Sequence, residues 1–440
     1  MGVKSRFWLT VVVGLVLAAL ATPGGAEASL GERCSGSSIA AQGSWLQVAD
    51  QESLGHSFND TEDHSPRACS GTQGAMLEPK VSYTPTGNLS GLQSWGAGGH
   101  AADFSASNAL IATDVPPNAT QREEIVAHSS EPEWASLETI PVQQYTVAVI
   151  VNLPAHCKAN NDTSHRGFLA LTSRTLEKIW QGQIHNWNEI ADSGDVVENL
   201  AEKNCDPSTP ITRVVSRDDS GSSWTLEKYL YLIDKEKNVI GSQGWRELAE
   251  GPAGAQWPGT VTRPSEEGEE AVASLVAATP GSIAVVSMTP QVEELFTGGV
   301  TRDAGEGRER SIALLQNNGL VGSGSATYVK LSPHSSNACS GVVYTNDGVL
   351  GLPAGSSSLW NGVTTKITES GYSLCGLSYV LALRKYSQYP GTSEAEATTV
   401  SDYLRFTFSI SHGGGLEQFH PDLSAQLLEE SRRGAEAIGY

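Results

Sequence analysis

Between Thr212 and Ile233 the chain reads TRVVSRDDSGSSWTLEKYLYLI, where its residue types come closest to a definable chemistry. A β-type pair, Val214 and Val215, leads into a polar turn of Arg217, Asp218, Asp219, Ser220, Gly221 and Ser222. Leu226, Leu230 and Ile233 then fall at i, i+4 and i+7, the spacing of one apolar helix face. A strand that turns through Gly and Ser into a helix leaves the first N–H groups of that helix without intrahelical acceptors, gathered at the positive end of its dipole. Such an end binds anions. Ser220, Ser222 and Ser223 add hydroxyl donors there, and Arg217 adds a forked, permanently charged one. The same residues would serve as ordinary N-caps beside a surface arginine, so the stretch by itself leaves two readings open.

Other chemistries find less support. The histidines form no HExxH or HxH pattern, so His100, His185 and His334 are read as structural or surface residues and no metal is expected. The chain has no GxSxG elbow and no nucleotide-type phosphate loop, and Ser220 and Ser222 have no base close in sequence. An enzyme is therefore not expected, nor any cofactor. With 49 acidic against 28 basic side chains, a net charge of −21, nucleic acid and anionic lipid are poor partners.

Two further stretches repeat the strand–turn–helix plan. Residues 34–50, CSGSSIAAQGSWLQVAD, pass from a strand-like piece through Gly43 and Ser44 into a helical one. Residues 81–92, VSYTPTGNLSGL, end a β run in Gly87, Asn88, Ser90 and Gly91, and another polar turn follows at 103–108. Polar turns in this arrangement are what an open α/β sheet offers a ligand at the carboxyl edge of its strands. Ahead of them, Lys4 and Arg6 precede an apolar run from Phe7 to Ala21, then Pro23 and Ala26-Glu27-Ala28, the pattern of a secretory signal peptide at 1–28. The mature protein is expected in the periplasm, on the cell surface or outside the cell, with no lipid-attachment pattern before Cys34. Cys34, Cys69, Cys157, Cys205, Cys339 and Cys375 lack CxxC spacing and read as up to three disulfides; pairing of sequence neighbours is expected among the fifteen possibilities. The acidic run 265–270 reads as a solvated turn before a helix at 271–278.

Taken in order, AQGSWLQ at 41–47, VSYTPTGNLSGLQSWG at 81–96, ADFSASNALI at 102–111, LTSRTLEKIWQGQIHNWNEIA at 171–191, the RDDSGSS turn, GSIAVVS at 281–287 and the stretch 372–404 resemble the phosphate-binding proteins that feed ABC-type phosphate importers. The resemblance implies an α/β, two-lobed periplasmic-binding-protein-like fold of type II. Lobe I would comprise 29–145 and 323–440, and lobe II 146–322. Two crossovers, near 141–150 and 319–325, would act as the hinge. Phosphate or a related tetrahedral oxyanion would lie between the lobes and pass to the membrane permease of an importer, with a monomer expected and no catalytic step. Leu176, Ile179 and Trp180 are read as core.

Position by position, the resemblance is uneven at the ligand. The family's first turn, which gives a Thr hydroxyl and backbone donors, falls on Trp45 and Leu46 beside Ser44, keeping the N–H groups and losing the hydroxyl. Asn88 stands for a Ser in the second turn. Asn108 stands for the Asp that accepts the proton of hydrogen phosphate, with Asp103 and Asp114 as other conceivable acceptors. Ser220, Gly221 and Ser222 match, and Asp218 fits the acid that braces an arginine, but the arginine's position holds Ser216, with Arg217 next to it. An amide at Asn108 removes the charge that repels a fully ionised anion, so relaxed selectivity between phosphate and sulfate, or a changed ligand, is expected. The alternative is a secreted adhesion, scaffold or sensing protein that keeps the fold and gives up the ligand.

Overall fold

Strands β1 (Ile39–Gly43), β2 (Val81–Pro85) and β3 (Leu110–Thr113) run parallel, with Gly43 beside both Pro85 and Ala112. They belong to a computed structural model that describes residues 36–59, 79–100, 104–154, 157, 168–192, 209–237, 245, 257–296, 309–316, 328–331, 339, 342–347, 349–366, 371–372, 374–409 and 423–440. Strand β4 (Leu137–Leu153) is 17 residues long and buried along almost its whole length, as its Val- and Ile-rich second half requires of a strand covered on both faces. After the short β5 (Ala170–Leu171) come β6 (Thr212–Val214), β7 (Ser282–Ser287), β8 (Glu309–Ile312) and β9 (Leu314–Gln316). Then follow β10 (Tyr328–Val329), β11 (Val343–Asn346), β12 (Val349–Leu350), β13 (Val363–Lys366) and β14 (Cys375–Leu383). The large sheet is ordered β2-β1-β3-β14-β4-β7-β6, with β8 also on β4; β5, β9 and β10 form one small sheet and β11 to β13 another.

Strand directions decide where a ligand can meet the sheet. Strand β14 is antiparallel to both β3 and β4, so β4 runs the same way as β1 to β3. Beyond it β7 is antiparallel to β4 and β6 is parallel to β7. The carboxyl ends of β1 to β3 and those of β6 and β7 therefore point toward each other from opposite ends of β4. They meet near its middle, where Thr146 pairs with Cys375 and Val147 with Ser287. Pro141 lacks an N–H for the ladder, and the register between β4 and β14 shifts there, at Ser378/Tyr379, so that Val142 is passed over.

The helices are α1 (Val48–Asn59), α2 (Asn88–Gln93), α3 (Ala119–Val126), α4 (Ser173–Trp180), α5 (Gly221–Lys237), α6 (Glu269–Ala278), α7 (Pro290–Phe296), α8 (Glu394–Ser409) and α9 (Ala425–Glu436). In α4 the Thr172 side chain accepts from Thr175 N–H, and Leu176, Ile179 and Trp180 are buried as their spacing predicts. Two main cores result. One gathers Val147 to Val151 of β4 with Leu176, Trp180, Leu226 and Ile283; the other gathers Leu137 and Ile140 with Ile111, Leu381, Val400 and Tyr403. Tyr145 and Val147 on β4 belong to the first core, and so do Tyr372 and Leu374 just before β14. The expected first crossover, 141–150, thus lies inside one continuous strand, while 319–325 falls outside the described residues, as does the predicted leader at 1–28. Residues from Glu32 to Tyr440 form one compact unit. No helix among the described residues is long and apolar enough to cross a membrane.

Cys339 and Cys375 are joined, one of the neighbour pairings expected. Cys157 is also disulfide-bonded, whereas Cys34, Cys69 and Cys205 lie outside the described residues. The Cys339–Cys375 bond closes a loop of 36 residues beside the middle of β4. Opening it with a Cys339→Ser, Cys375→Ser double variant is expected to cost about 4 kcal/mol, the loop entropy returned to the unfolded chain. Urea unfolding measures it directly, and a loss below about 1 kcal/mol would mean that the unfolded chain is already constrained there.

Candidate functional site

The first half of the sheet brings its turns to one carboxylate. Asp114 follows β3 directly and is buried. Its oxygens accept from Ser44 Oγ after β1, Gln47 Nε2 (3.2 Å) before α1, and Ser378 Oγ (2.7 Å) on β14. Its backbone N–H donates to Asn88 Oδ1 (2.8 Å) at the start of α2. Gln47 is itself held by a chain of hydrogen bonds: Tyr403 OH donates to Gln51 Oε1 (2.8 Å), and Gln51 Nε2 to Gln47 Oε1 (3.0 Å). Tyr83 OH donates to Ser44 O (2.6 Å), fixing the turn from below.

The second half presents the start of α5 to the same place. A Cβ on Gly221 would stand 2.7 Å from Tyr145 OH and 3.2 Å from Asp114 Cγ, so only a glycine lets the helix begin this close to the carboxylate. Asn88 Nδ2 donates to the Asp219 carbonyl, and Tyr145 OH and Thr225 Oγ1 lie 3.0 Å apart. Burial, with Asp114 adding to it, pushes the Tyr145 hydroxyl well above its usual range. Asp219 is pushed up to about 7, chiefly by burial and secondarily by Asp218.

Ser220 and Ser222 turn their hydroxyls to Glu269, the first residue of α6, at 3.0 and 2.7 Å, and Ser287 N–H donates to its other oxygen (3.2 Å). Burial above all pushes Glu269 up to about 8, and Asp218 adds to the shift against the hydrogen bonds that lower it. The acidic run is thus not a uniformly solvated turn. Glu266, Glu267 and Glu270 are exposed, but α6 starts at Glu269 rather than at 271 and carries that side chain inward.

Of the residues singled out by sequence, Ser44, Asn88, Ser220, Gly221 and Ser222 are brought together. Leu46 N–H is taken up by Ser44 Oγ (3.0 Å), and Trp45 stands partly exposed at the rim, its indole 3.9 Å from where a Gly87 Cβ would lie. Asp218 accepts from Ser216 Oγ and from Gly268 N–H (3.3 Å) rather than bracing an arginine. Arg217 is exposed and donates to Ser265 O (2.6 Å), and Arg263 donates to the Ser216 carbonyl. Asn108 is not brought to this group. It precedes β3, its carbonyl accepting from Trp95 Nε1 (2.9 Å), whereas the strand's carboxyl end carries Asp114. The reason is register: Ala112 pairs with Gly43, so the polar residues after Thr113, not those before Leu110, stand beside Ser44. Sequence reading weighed Asp114 only as a substitute and passed over Gln47, Glu269 and Ser378; the turn and Pro-Pro pair after Thr113 were the available signal for Asp114.

A family model described as the PBP superfamily domain matches residues 110–410, more than half of the chain. No curated protein matches the sequence. Similar solved structures include a phosphate binding protein from Stenotrophomonas maltophilia, 14% identical over 90% of this chain and 93% of that one, with a TM-score of 0.53. A high affinity periplasmic phosphate-binding protein, PfluDING, solved with phosphate, is 15% identical over 92% and 99%, with a TM-score of 0.54. A human phosphate binding apolipoprotein is 15% identical over 90% and 93%, with a TM-score of 0.54. At such identities the likeness is one of fold. The opposed strand ends, the single long strand joining them and the family match agree: this chain belongs to the PBP superfamily and has the type II periplasmic-binding-protein fold.

Proposed function

We infer that the protein is an extracytoplasmic solute-binding protein which captures phosphate, or a related tetrahedral oxyanion, between two α/β lobes and passes it to the permease of an ABC importer, without a catalytic step. The observation that carries this reading is the meeting of Asp114 with the N-terminus of α5 at Gly221, where the strand ends of both halves of the sheet converge. Helix N–H groups without intrahelical acceptors supply the attraction for an anion. A buried carboxylate beside them admits an anion that still has a proton to donate and repels one that has none. Asp114 takes the part that sequence reading gave to Asn108, so phosphate should be preferred to sulfate. The matched domain and the phosphate-binding names of its solved relatives support the same ligand class.

One observation favours the second reading, a secreted protein with the fold kept and the ligand changed. Arg217 is exposed and bound to the Ser265 carbonyl, and Ser216 lies where the family has its arginine, so the guanidinium at this turn is that of Arg263, held at the Ser216 carbonyl. Calorimetric titration of the secreted chain 29–440, stripped of bound anion, separates the two. Micromolar or tighter phosphate binding with at least tenfold weaker sulfate binding is the expected result. Folded protein giving no heat with either anion would establish the second reading.

A further inference from the structure

Glu269 Oε1 accepts from Ser220 Oγ and Ser222 Oγ together, and those two oxygens lie 2.7 Å apart. A serine hydroxyl has one proton to give. While Glu269 is ionised, both hydroxyl protons are drawn to it, and an anion arriving at α5 would meet lone pairs and a buried negative charge. With a proton on Glu269 the relation inverts: the carboxyl donates to one serine, and the two hydroxyls are released to donate to the anion. Among the described residues the charged and titratable groups that bear on Glu269 are Asp218 in the turn and Tyr145 on β4, neither of which supplies a positive charge, while Arg263, the cation held at this turn, is bound to the Ser216 carbonyl. One further donor lies beside Glu269. Ser287, whose N–H is bound to Glu269, is fully buried, and its Oγ has no hydrogen-bond partner among the described residues. A buried hydroxyl without a partner is uncommon because it forfeits its hydration.

Resting on the anion-binding reading above, we propose that Glu269 is the proton-sensing residue of this site: it holds a proton whenever an anion is bound, which frees Ser220 and Ser222 as donors. No bond is made or broken. One proton passes from solvent to the Glu269 carboxylate when the protein binds from its ionised form. Burial places the Glu269 carboxyl near pH 8, so affinity is full below that pH and is lost as pH rises through it.

Inorganic phosphate remains the dianion between pH 8 and pH 9.5, so a pH response in that window reports the protein. Titrated calorimetrically, the wild-type chain should lose roughly 15-fold in affinity across it, the ratio of protonated fractions for a group at about 8. Glu269→Gln, which is neutral throughout, should change less than about twofold. Asp219→Asn should decline much as wild type does, because a group at about 7 is already mostly ionised at pH 8. In wild type, repeating the titration at pH 9.5 in two buffers of different ionisation enthalpy should show close to one proton taken up per phosphate, a readout that needs no variant. A Glu269→Gln profile that follows wild type, or no proton uptake, overturns the proposal and leaves phosphate capture standing. No phosphate binding at any pH from 6 to 9.5 overturns both readings together.

Discussion

Gly43→Ala should be among the most damaging single substitutions in the first half of the sheet, at about 3–5 kcal/mol of stability. Gly43 ends β1 at a φ of 135°, a backbone conformation that costs a side-chain-bearing residue about 1–3 kcal/mol. A Cβ there would also overlap the Ala112 carbonyl and lie 3.0 Å from its carbon, and backbone in a paired strand cannot move aside as a side chain would. Overpacking of this kind adds about 1–3 kcal/mol. The shift would propagate to the ligand-facing turns, because Gly43 O accepts from Thr86 N–H (2.9 Å) and Gly87 N–H (2.8 Å), the residues that lead to Asn88. Gly99→Ala is the internal control. Gly99 also has positive φ (81°), but an added Cβ meets nothing within 4 Å, so only conformational strain of about 1 kcal/mol is expected. Urea unfolding of both variants measures the difference. Equal losses would show that β1 and β3 can separate locally without cost.

Removal of the Asp114 carboxylate should have an effect of similar size on stability and a larger one on ligand. Ser44, Gln47 and Ser378 are all buried and all donate to it, so Asp114→Ala strands three donors away from water. Each stranded donor costs about 1–3 kcal/mol, reduced where a hydroxyl can turn to another acceptor, and a net loss of about 3–5 kcal/mol is expected. Asp114→Asn keeps the volume but turns one oxygen into a donor, and about 1–3 kcal/mol should be lost. On the reading offered above, that variant also loses the repulsion toward fully ionised anions. Phosphate affinity should fall at least tenfold and the preference for phosphate over sulfate should largely vanish. Unfolding curves and parallel titrations with the two anions check this. An Asp114→Asn protein that keeps the wild-type preference would remove Asp114 from the recognition of ligand and leave it a structural acid.

Several elements were legible because their signals are local. The spacing of Leu176, Ile179 and Trp180 fixes one buried helix face whatever the rest of the chain does, and α4 follows it. A β pair running through Gly and Ser into an apolar-periodic stretch specifies β6 and α5, and the corresponding turns specify β1 with α1 and β2 with α2. Cys339 and Cys375 are close enough in sequence for neighbour pairing to be the economical expectation.

What the tertiary structure decided is which polar residue stands at which end of a strand and which charge goes inside. Two polar turns flank the apolar run Ala109–Ala112, one with Asn108 and one with Asp114, and nothing local says which faces Ser44. The pairing of Gly43 with Ala112 does, since register along a strand is set by its neighbours in the sheet. In the same way, four glutamates between 266 and 270 look alike as a solvated run. Only the packing of α6 against β7, with Ser220 and Ser222 on the other side, selects Glu269 for burial. Arg217 goes to solvent and Ser216 inward because adjacent residues leaving a strand point to opposite sides. Element type was therefore a property of short stretches of this sequence, while the composition of the site depended on strand register and helix docking, which relate residues far apart in the chain.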